Sequence, residues 1–470
     1  MLTLADILEA LTAERPIAPQ IITGGVVDSR QVIPASLFVA IRGDHVDGHQ
    51  YVAEAFQNGA QAALIDHEID CNYSTIDLRS GHYPVDAIIK DQPVALLVEN
   101  TVQALQTIAH FWRNRLKVKV IGITGSVGKS TSKELIAEVL SQRFSVLKNA
   151  GNLNNEIGLP LTLLKLSENH QRAVLEMGFY VAGEIKLLCD IAQPEIGVIT
   201  NIGTVHAERA GSLEAIARGK AELVESLPEN GVAILNFDDP LVRNMASKTN
   251  ANIFFYGIDP LSHLWADEIE GMGLQGIRFR IHYNDDHIHI RVPLIGRHSV
   301  HTALRAAAVG IIEGMSWPEI VIGLQQGHSQ LRLATVTTSS GALILDDTYN
   351  ASPDSVMAAL NLLDELQGNK YAVLGEMLEL GPYEKQGHEL VGNRAAQVVS
   401  RLITVGDKAK IIAESARNAG LAPTAITWLQ TIDEVVDLLK GTLQPNDVIL
   451  IKGSHGLHME QIVNALEIDS

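Results

Sequence analysis

The segment from Val120 to Thr131, V-I-G-I-T-G-S-V-G-K-S-T, constrains the fold more than any other part of the chain. The apolar run over 117–123 predicts a buried strand, and the pattern over 132–142 predicts a helix soon after it. Glycines at 122, 125 and 128 let the connecting backbone close around an anion, and a helix start adds its positive end. The usual G-x-x-x-x-G-K spacing is not kept, because Ile123 stands where its first glycine is expected. We therefore predict a phosphate-binding loop, the alternative being a glycine turn beside a chance lysine.

Side chains suited to phosphate and Mg²⁺ stand together in this loop. Lys129 can reach the β- and γ-phosphates of a nucleotide, and the hydroxyl of Ser130 is a ligand type that Mg²⁺ accepts. The residues expected to bind the nucleotide here are Gly125, Ser126, Val127, Gly128, Lys129, Ser130 and Thr131. The chain is therefore expected to use ATP with Mg²⁺.

Length and charge restrict the class of protein further. A chain of 470 residues predicts about three domains. A net charge of −19 argues against a nucleic-acid partner or an anionic membrane surface. No run approaches the ~18 apolar residues of a membrane span, and the acidic, amphipathic start is unlike a signal peptide. Cys71 and Cys189 are expected to be buried thiols in a reducing cytosol, so we expect a cytoplasmic protein without membrane insertion.

Three blocks of α/β pattern follow one another. Residues 1–115 mix short strands and helices and predict a small α/β domain. Residues 116–328 alternate strands with helices, which predicts a mostly parallel sheet. A hairpin is predicted around 284–286, within this block. Residues 329–470 repeat the alternation and predict a Rossmann-like domain without its G-x-G-x-x-G fingerprint. The predicted fold class is therefore α/β in three domains.

Polar residues follow several predicted strands of the central block. In open α/β sheets such strand ends are the usual place for ligands. Glu176 could complete Mg²⁺ coordination with Ser130, although a glutamate there is often only solvated. Each of three others also has an ordinary structural interpretation: a structural histidine for His206, a surface lysine for Lys220 and a helix cap or turn for Asn236.

The order of these segments resembles the central domain of the Mur ligases, the ATP-dependent amide ligases that build the peptidoglycan stem peptide. The matching runs are G-I-T-G-S-V-G-K-S-T, G-N-L-N-N-E-I-G-L-P, E-M-G, T-N-I-G-T-V-H-A-E, R-G-K-A-E and N-F-D-D-P. Near the N-terminus, D-S-R-Q-V-I-P-A-S-L-F-V-A-I-R-G-D-H-V-D-G-H is similar to the family's UDP-sugar-binding domain. Farther on, L-I-L-D-D-T-Y-N-A-S-P-D-S and V-L-G-E-M-L-E-L-G resemble the amino-acid-binding domain of the member that adds D-alanyl-D-alanine. The resemblance covers nearly the whole chain.

The resemblance implies a role for each matched residue. The catalytic set would be Lys129, His206, Lys220, Arg332 and Asp347. Two Mg²⁺ ions would be held by Ser130, Glu176, His206 and a carbamylated Lys220. Further nucleotide contacts would come from Asn236, His298, Ser299, Thr302 and Arg332. Substrate contacts would come from Ser29, Arg30, Asp47, Gly48, His49, Asn154, Asn155, Asn350 and Ser352.

One departure concerns the base of the nucleotide. The family usually has asparagines where Ser299 and Thr302 stand, and the second helps to hold adenine. A hydroxyl lacks the paired donor and acceptor of an amide, so altered nucleotide affinity or base selectivity is expected.

The implied reaction joins D-alanyl-D-alanine to UDP-N-acetylmuramoyl-tripeptide through an acyl phosphate formed with ATP, in a protein expected to be a monomer. The alternatives are another ligase of this family, folylpolyglutamate synthase, or a nucleotide-binding regulatory protein without ligase activity.

Overall fold

The computed structural model describes residues 1–43, 46–69, 73–83, 93–205, 207–326 and 334–467. These residues form three sheets, of five, nine and six strands, each packed against helices. The predicted α/β class with mostly parallel sheets is confirmed. The predicted boundaries near 115 and 328 fall between the sheets, and no described helix is both long and apolar enough to cross a bilayer.

The N-terminal sheet is parallel, with the strand order β1-β2-β3-β5-β4. Its strands are β1 (Gly25–Val26), β2 (Leu37–Val39), β3 (Ala62–Ile65), β4 (Ser74–Asp77) and β5 (Val94–Leu97). Its helices are α1 (Leu4–Thr12), α2 (Val52–Gln57) and α3 (Thr101–Arg115). Thr3 and Asp6 cap α1 reciprocally, which satisfies two backbone N–H groups at the helix start.

The central sheet has the order β14-β13-β12-β11-β10-β9-β6-β8-β7 and is parallel except at the β12–β14 edge. Its strands are β6 (Lys119–Thr124), β7 (Val146–Lys148), β8 (Arg172–Glu176), β9 (Ile196–Ile199), β10 (Val232–Asn236), β11 (Asn252–Gly257), β12 (Leu264–Gly271), β13 (Ile277–Tyr283) and β14 (Asp286–Val292). Its helices are α4 (Lys129–Ser141), α5 (Gly158–Leu163), α6 (Glu184–Ala192), α7 (Ala207–Ala210), α8 (Leu213–Glu225), α9 (Pro240–Arg243), α10 (Val300–Ile312) and α11 (Trp317–Gln326).

Strand β6 lies between β8 and β9, and the three run parallel. Their carboxyl ends therefore meet at one edge of the sheet, which brings the segments after Thr124, Glu176 and Ile199 together. The predicted hairpin is confirmed, with Tyr283 paired to Asp286. Cys189 is a buried free thiol, whereas Cys71 lies outside the described residues.

The C-terminal sheet has the order β15-β16-β20-β17-β18-β19 and is parallel apart from β15. Its strands are β15 (Ala334–Thr337), β16 (Leu343–Asp346), β17 (Asn369–Gly375), β18 (Arg401–Val405), β19 (Ile426–Leu429) and β20 (Asp447–Lys452). Its helices are α12 (Pro353–Glu365), α13 (Glu384–Val398), α14 (Lys410–Asn418), α15 (Ile432–Lys440) and α16 (Glu460–Leu466).

The central and C-terminal units touch beside α7. The backbone N–H of Glu208 donates to the carbonyl of Glu379 at 3.1 Å. The N–H of Leu213, the first residue of α8, donates to the Tyr383 hydroxyl at 3.4 Å. The segment between β9 and α8 is thus held in part by the C-terminal unit.

Candidate active site

The loop between β6 and α4 has the shape of a phosphate cradle. Gly128 caps α4 in the left-handed conformation, with φ at 81°. Gly125 has φ at +148°, and a methyl group there would lie 1.8 Å from Oγ1 of Thr200. Glycine is therefore required at 125 both by the backbone and by the space. The loop delivers the positive end of α4 to a site where an anion can bind.

The segment after β9 supports this loop from one side. Oγ1 of Thr200 donates to the carbonyl of Val127 at 2.7 Å, and the N–H of Val127 donates to Oδ1 of Asn201 at 2.9 Å. The hydroxyl of Ser126 donates to the carbonyl of Gly203 at 3.1 Å and accepts its N–H at 2.8 Å. We did not predict these supporting roles of Thr200 and Asn201, although their position at a strand end was a usable signal.

Lys129 and Ser130 open α4 and face two different partners. Nζ of Lys129 donates to the loop carbonyls of Gly125 at 2.8 Å and Ser126 at 3.3 Å. Oγ of Ser130 donates to Oε2 of Glu176 at 2.6 Å. Thr131, also predicted to bind the nucleotide, is half-buried in the same first turn. The hydroxyl and the carboxylate predicted to share a metal ion are therefore brought together.

Glu176 is held rigidly at the end of β8. Glu176 is only 2% exposed, and its Oε1 accepts a hydrogen bond from Nδ2 of Asn154 at 2.9 Å. Its backbone N–H donates to Oδ1 of Asn149 at 2.9 Å. Asn154 thus orients Glu176, and its contact with substrate stays a prediction. The role of Asn149 was missed. Oδ1 of neighbouring Asn155 accepts the N–H of Gly158, the first residue of α5, at 2.8 Å.

Lys220 points from α8 to the same loop. Its Nζ lies 2.9 Å from the carbonyl oxygen of Gly125 and 4.8 Å from the centre of the Phe179 ring. The residue is 2% exposed, so the interpretation as a surface lysine is wrong. Burial, reinforced by the charge of Lys129, lowers the pKa of the Lys220 amine well below its ordinary value. The amine is therefore disposed to be neutral.

Two predicted catalytic residues, His206 and Arg332, lie outside the described residues.

Asn236 is buried at the end of β10, where Nδ2 donates to the carbonyl of Thr200 at 3.1 Å. Its Oδ1 accepts the N–H of Asp238 at 3.1 Å. Asn236 thereby joins two loops at the sheet edge that carries the phosphate cradle.

The predicted base-binding segment lies at the start of α10. Oγ of Ser299 donates to the carbonyl of Ile295 at 2.7 Å, and Oγ1 of Thr302 accepts a hydrogen bond from Nη2 of Arg305 at 2.8 Å. Desolvation and the charges of His301 and Arg305 lower the pKa of the His298 imidazole to about 4, which keeps the ring neutral at neutral pH. Both hydroxyls are therefore occupied within the chain.

The C-terminal candidates cluster around a buried lysine that the sequence did not indicate. Lys452, at the end of β20, pairs with Oδ2 of Asp347 at 2.7 Å and donates to the carbonyl of Asn350 at 2.7 Å. Oδ1 of Asn350 accepts the N–H of Ala351 at 2.9 Å. Ser352 caps α12 reciprocally with Ser355. Asp347 is thus positioned by a cation, while the hydroxyl of Ser352 serves the helix.

The N-terminal candidates fall into two groups. Oγ of Ser29 donates to Glu54 at 3.0 Å, whereas the exposed guanidinium of Arg30 pairs with Asp28 at 2.8 Å. Gly48 packs against the backbone just after β2, where a methyl group on Gly48 would lie 2.7 Å from the backbone nitrogen of Ile41.

Asp47 and His49 line a separate, solvent-facing cavity of about 390 Å³. Nδ1 of His49 lies 2.6 Å from Oδ1 of Asp47, and Nε2 accepts the N–H of Asp66 at 3.1 Å. The backbone N–H and the ring of His49 lower the pKa of the Asp47 carboxyl. Gln50, His67 and Glu68 complete the polar lining, and none of them was predicted.

The fold and the site together define a phosphate-loop enzyme of three α/β units, with a carboxylate and a buried amine at the loop. Three family models match the chain: "Mur ligase family, catalytic domain" over 22–113, "Mur ligase middle domain" over 123–310 and "Mur ligase, glutamate ligase domain" over 331–455. A Bacillus subtilis protein named UDP-N-acetylmuramoyl-tripeptide–D-alanyl-D-alanine ligase is 34% identical over 467 residues, which cover 98% of this chain and 97% of that one. The chain belongs to the Mur ligase family and is a ligase.

Solved structures agree with this assignment along the whole chain. The crystal structure of MurF from Acinetobacter baumannii aligns with a TM-score of 0.83 and 30% identity, over 98% of each chain. The MurF ligase from Thermotoga maritima, solved in complex with ADP, aligns with a TM-score of 0.78 and 27% identity, over 94% of this chain and 96% of that one.

Proposed function

We propose that this chain joins D-alanyl-D-alanine to UDP-N-acetylmuramoyl-tripeptide, using ATP and releasing ADP and phosphate, in peptidoglycan precursor synthesis. The observation that carries this proposal is the similarity to the Bacillus subtilis ligase of that name over almost the full length of both chains. The phosphate cradle and the carboxylate beside it supply the nucleotide half of the reaction.

Mg²⁺ fits the oxygen donors that converge at the loop. Ser130 and Glu176 would hold one ion, since Mg²⁺ binds one or two protein oxygens together with substrate phosphates and water. Lys220 and His206 would serve a second ion. Bound Mg²⁺ would offset the negative charge on the phosphates.

Lys220 fits that role only in a modified form, because an ammonium group cannot bind a cation. Its amine is buried and has a lowered pKa, so a neutral nitrogen is available to attack CO₂. A C–N bond then forms, the nitrogen loses one proton, and a carbamate anion results. Lys220→Ala should abolish ligation, and added acetate should restore part of it by supplying a carboxylate. Full activity of the unsupplemented variant would refute the carbamate.

The chain's own residues suit a two-step reaction. The carboxylate of the tripeptide attacks the γ-phosphorus of ATP, ADP leaves, and Lys129 offsets the negative charge at the transferred group. The neutral amine of the dipeptide then attacks the acyl phosphate, phosphate leaves, and the amide bond forms. Arg332 and Asp347 would orient the phosphates and the amine from the C-terminal unit. The contact between the two units would keep water from the acyl phosphate.

Asp47, Gly48 and His49 are proposed to bind the UDP-sugar beside the cavity that Asp47 and His49 line, and Ser29 and Arg30 are proposed to contact it as well. The family model matched over 22–113 argues against folylpolyglutamate synthase, which has no UDP-binding N-terminal block. We further propose that the enzyme acts as a monomer in the bacterial cytoplasm.

The test is ATP-dependent phosphate release with UDP-N-acetylmuramoyl-tripeptide, comparing D-alanyl-D-alanine with single amino acids as the amine acceptor. Turnover with the dipeptide alone, and a product heavier by one dipeptide in mass spectrometry, is expected. Turnover with a single amino acid would assign the chain to another ligase of the family. ATP binding without turnover on any acceptor would favour the regulatory alternative.

A further inference from the structure

Arg305 carries a buried charge against the phosphate loop. The residue lies on α10 and is 5% exposed. A methyl group on Gly128 would lie 3.3 Å from Nη2 of Arg305, so the guanidinium borders the residue that caps α4. The charge therefore lies beside the segment built to receive an anion.

The partners of Arg305 within the chain are neutral. Nη1 donates to the Tyr256 hydroxyl at 3.2 Å, and Nη2 donates to Oγ1 of Thr302 at 2.8 Å. Nε is buried and has no hydrogen-bond partner in the described part of the chain. No carboxylate among the described residues forms an ion pair with Arg305. Two hydroxyls thus share a full positive charge, and they take up only two of its five N–H donors.

Other buried cations in the same chain are satisfied more completely. Arg113 donates to the carbonyls of Ala192 at 2.9 Å, Leu116 at 3.3 Å and Gln193 at 3.4 Å. Lys452 has the carboxylate of Asp347. Lys220 can lose its proton, but a guanidinium cannot do so in a protein. An uncompensated buried charge is costly, so Arg305 requires an anion that the chain itself does not provide.

A phosphate group meets that requirement. Guanidinium groups bind phosphate oxygens through paired N–H donors. The guanidinium of Arg305 borders Gly128 of the phosphate loop. The two hydroxyls at 299 and 302, which stand where amides would hold the base, are already engaged with Ile295 and Arg305. A charged contact to the phosphates would supply affinity that the absent amides do not.

We propose that Arg305 is a nucleotide-binding residue whose guanidinium contacts a phosphate group of ATP, so that charge at the phosphates replaces part of the missing amide contact to the base. This inference rests on the proposed function, because it assumes that the loop binds ATP.

Calorimetric titration with ADP, inorganic tripolyphosphate and adenosine tests the assignment on the full chain. For Arg305→Gln, the affinities for ADP and tripolyphosphate should fall together, by about tenfold to a hundredfold, because a hydrogen-bonded charge is lost. Adenosine binding should stay as in the wild type. Arg305→Lys keeps the charge without the paired donors, so its affinities for ADP and tripolyphosphate should lie between those of the wild type and of Arg305→Gln.

Arg113→Gln is the matched control, since it removes a buried guanidinium whose hydrogen bonds go to the carbonyls of Leu116, Ala192 and Gln193 and not to the loop. It should lower the melting temperature without changing either affinity. If Arg305→Gln does not fold, Arg305→Lys supplies the same comparison, and wild-type affinity in that variant would overturn the proposal.

Three results would overturn the assignment. A folded Arg305→Gln with wild-type affinity for ADP and tripolyphosphate would make Arg305 structural. A loss confined to ADP, accompanied by a changed preference between ADP and GDP, would mean that the guanidinium contacts the base. Wild-type protein that binds neither ADP nor tripolyphosphate would refute the proposed function as well, whereas the first two results would leave it intact.

Discussion

Asn154→Ala would release one side of the carboxylate that is proposed to bind Mg²⁺. In the structure the two oxygens of Glu176 are each fixed by one donor, Oε2 by Ser130 at 2.6 Å and Oε1 by Asn154 at 2.9 Å. The glutamate is 2% exposed, so water has little access to replace the lost amide. The variant should therefore keep the metal ligand but loosen its orientation.

The magnitude follows from the charge on the acceptor. A hydrogen bond to a charged group contributes about 1.5–3 kcal/mol, which corresponds to roughly a tenfold to hundredfold change in affinity. Loss of a residue that orients a metal ligand changes metal affinity by about the same range. We expect the Mg²⁺ concentration for half-maximal activity to rise by about ten to a hundred times, with a much smaller change in the rate at saturating Mg²⁺.

The assay is phosphate release at saturating ATP, tripeptide and dipeptide, titrated with Mg²⁺. Asn155→Ala is the control, because the adjacent amide accepts the N–H of Gly158 and makes no hydrogen bond to Glu176 among the described residues. It tests whether loss of an amide in this segment changes the Mg²⁺ requirement by itself. An unchanged Mg²⁺ requirement in Asn154→Ala, or an equal shift in both variants, would refute the reasoning.

Three further outcomes are expected. Lys220→Met removes a buried amine that is protonated in the unfolded chain, so in CO₂-free buffer at neutral pH it should melt several degrees above the wild type. The difference in melting temperature between Lys220→Met and the wild type should shrink as the pH rises towards about 10. A melting temperature of the variant at neutral pH that is equal to or below that of the wild type would contradict this prediction. Gly125→Ala, with its methyl 1.8 Å from Oγ1 of Thr200, should weaken ADP binding by about tenfold to a hundredfold in calorimetry, and wild-type affinity would show that the loop adapts. Burial lowers the pKa of His388, so stability should decline as the pH falls below about 6.5, and His388→Gln should reduce that decline in thermal melts at several pH values.

The sequence predicted the sheets well because their strands are apolar runs bounded by turns. The apolar run over 117–123 became β6, Lys119–Thr124, and the phosphate loop was predicted from its glycines together with the strand and helix patterns on either side. Such local patterns are fixed by burial of both sheet faces and by backbone conformation, and both are visible in a short window of residues.

Partners distant in the chain could not be predicted in the same way. Asn154 hydrogen-bonds to the side chain of Glu176, 22 positions farther along the chain, and residue type and spacing did not indicate that contact. Lys452 lies 105 positions beyond Asp347, and nothing in its own strand distinguishes it from a surface lysine. The buried state of Lys220 and Arg305 also depends on how elements pack, which residue type and spacing do not report.

The hydrogen bonds from Glu208 to Glu379 and from Leu213 to Tyr383 have a consequence for exchange with solvent. Glu208 lies in α7 and Leu213 is the first residue of α8, yet the acceptors of both amides belong to the C-terminal unit. Separation of the two units would expose these amides while the neighbouring amides inside α8 keep their helical acceptors. Deuterium uptake at Glu208 and Leu213, compared with uptake within α8, would therefore record how often the two units part, with and without nucleotide.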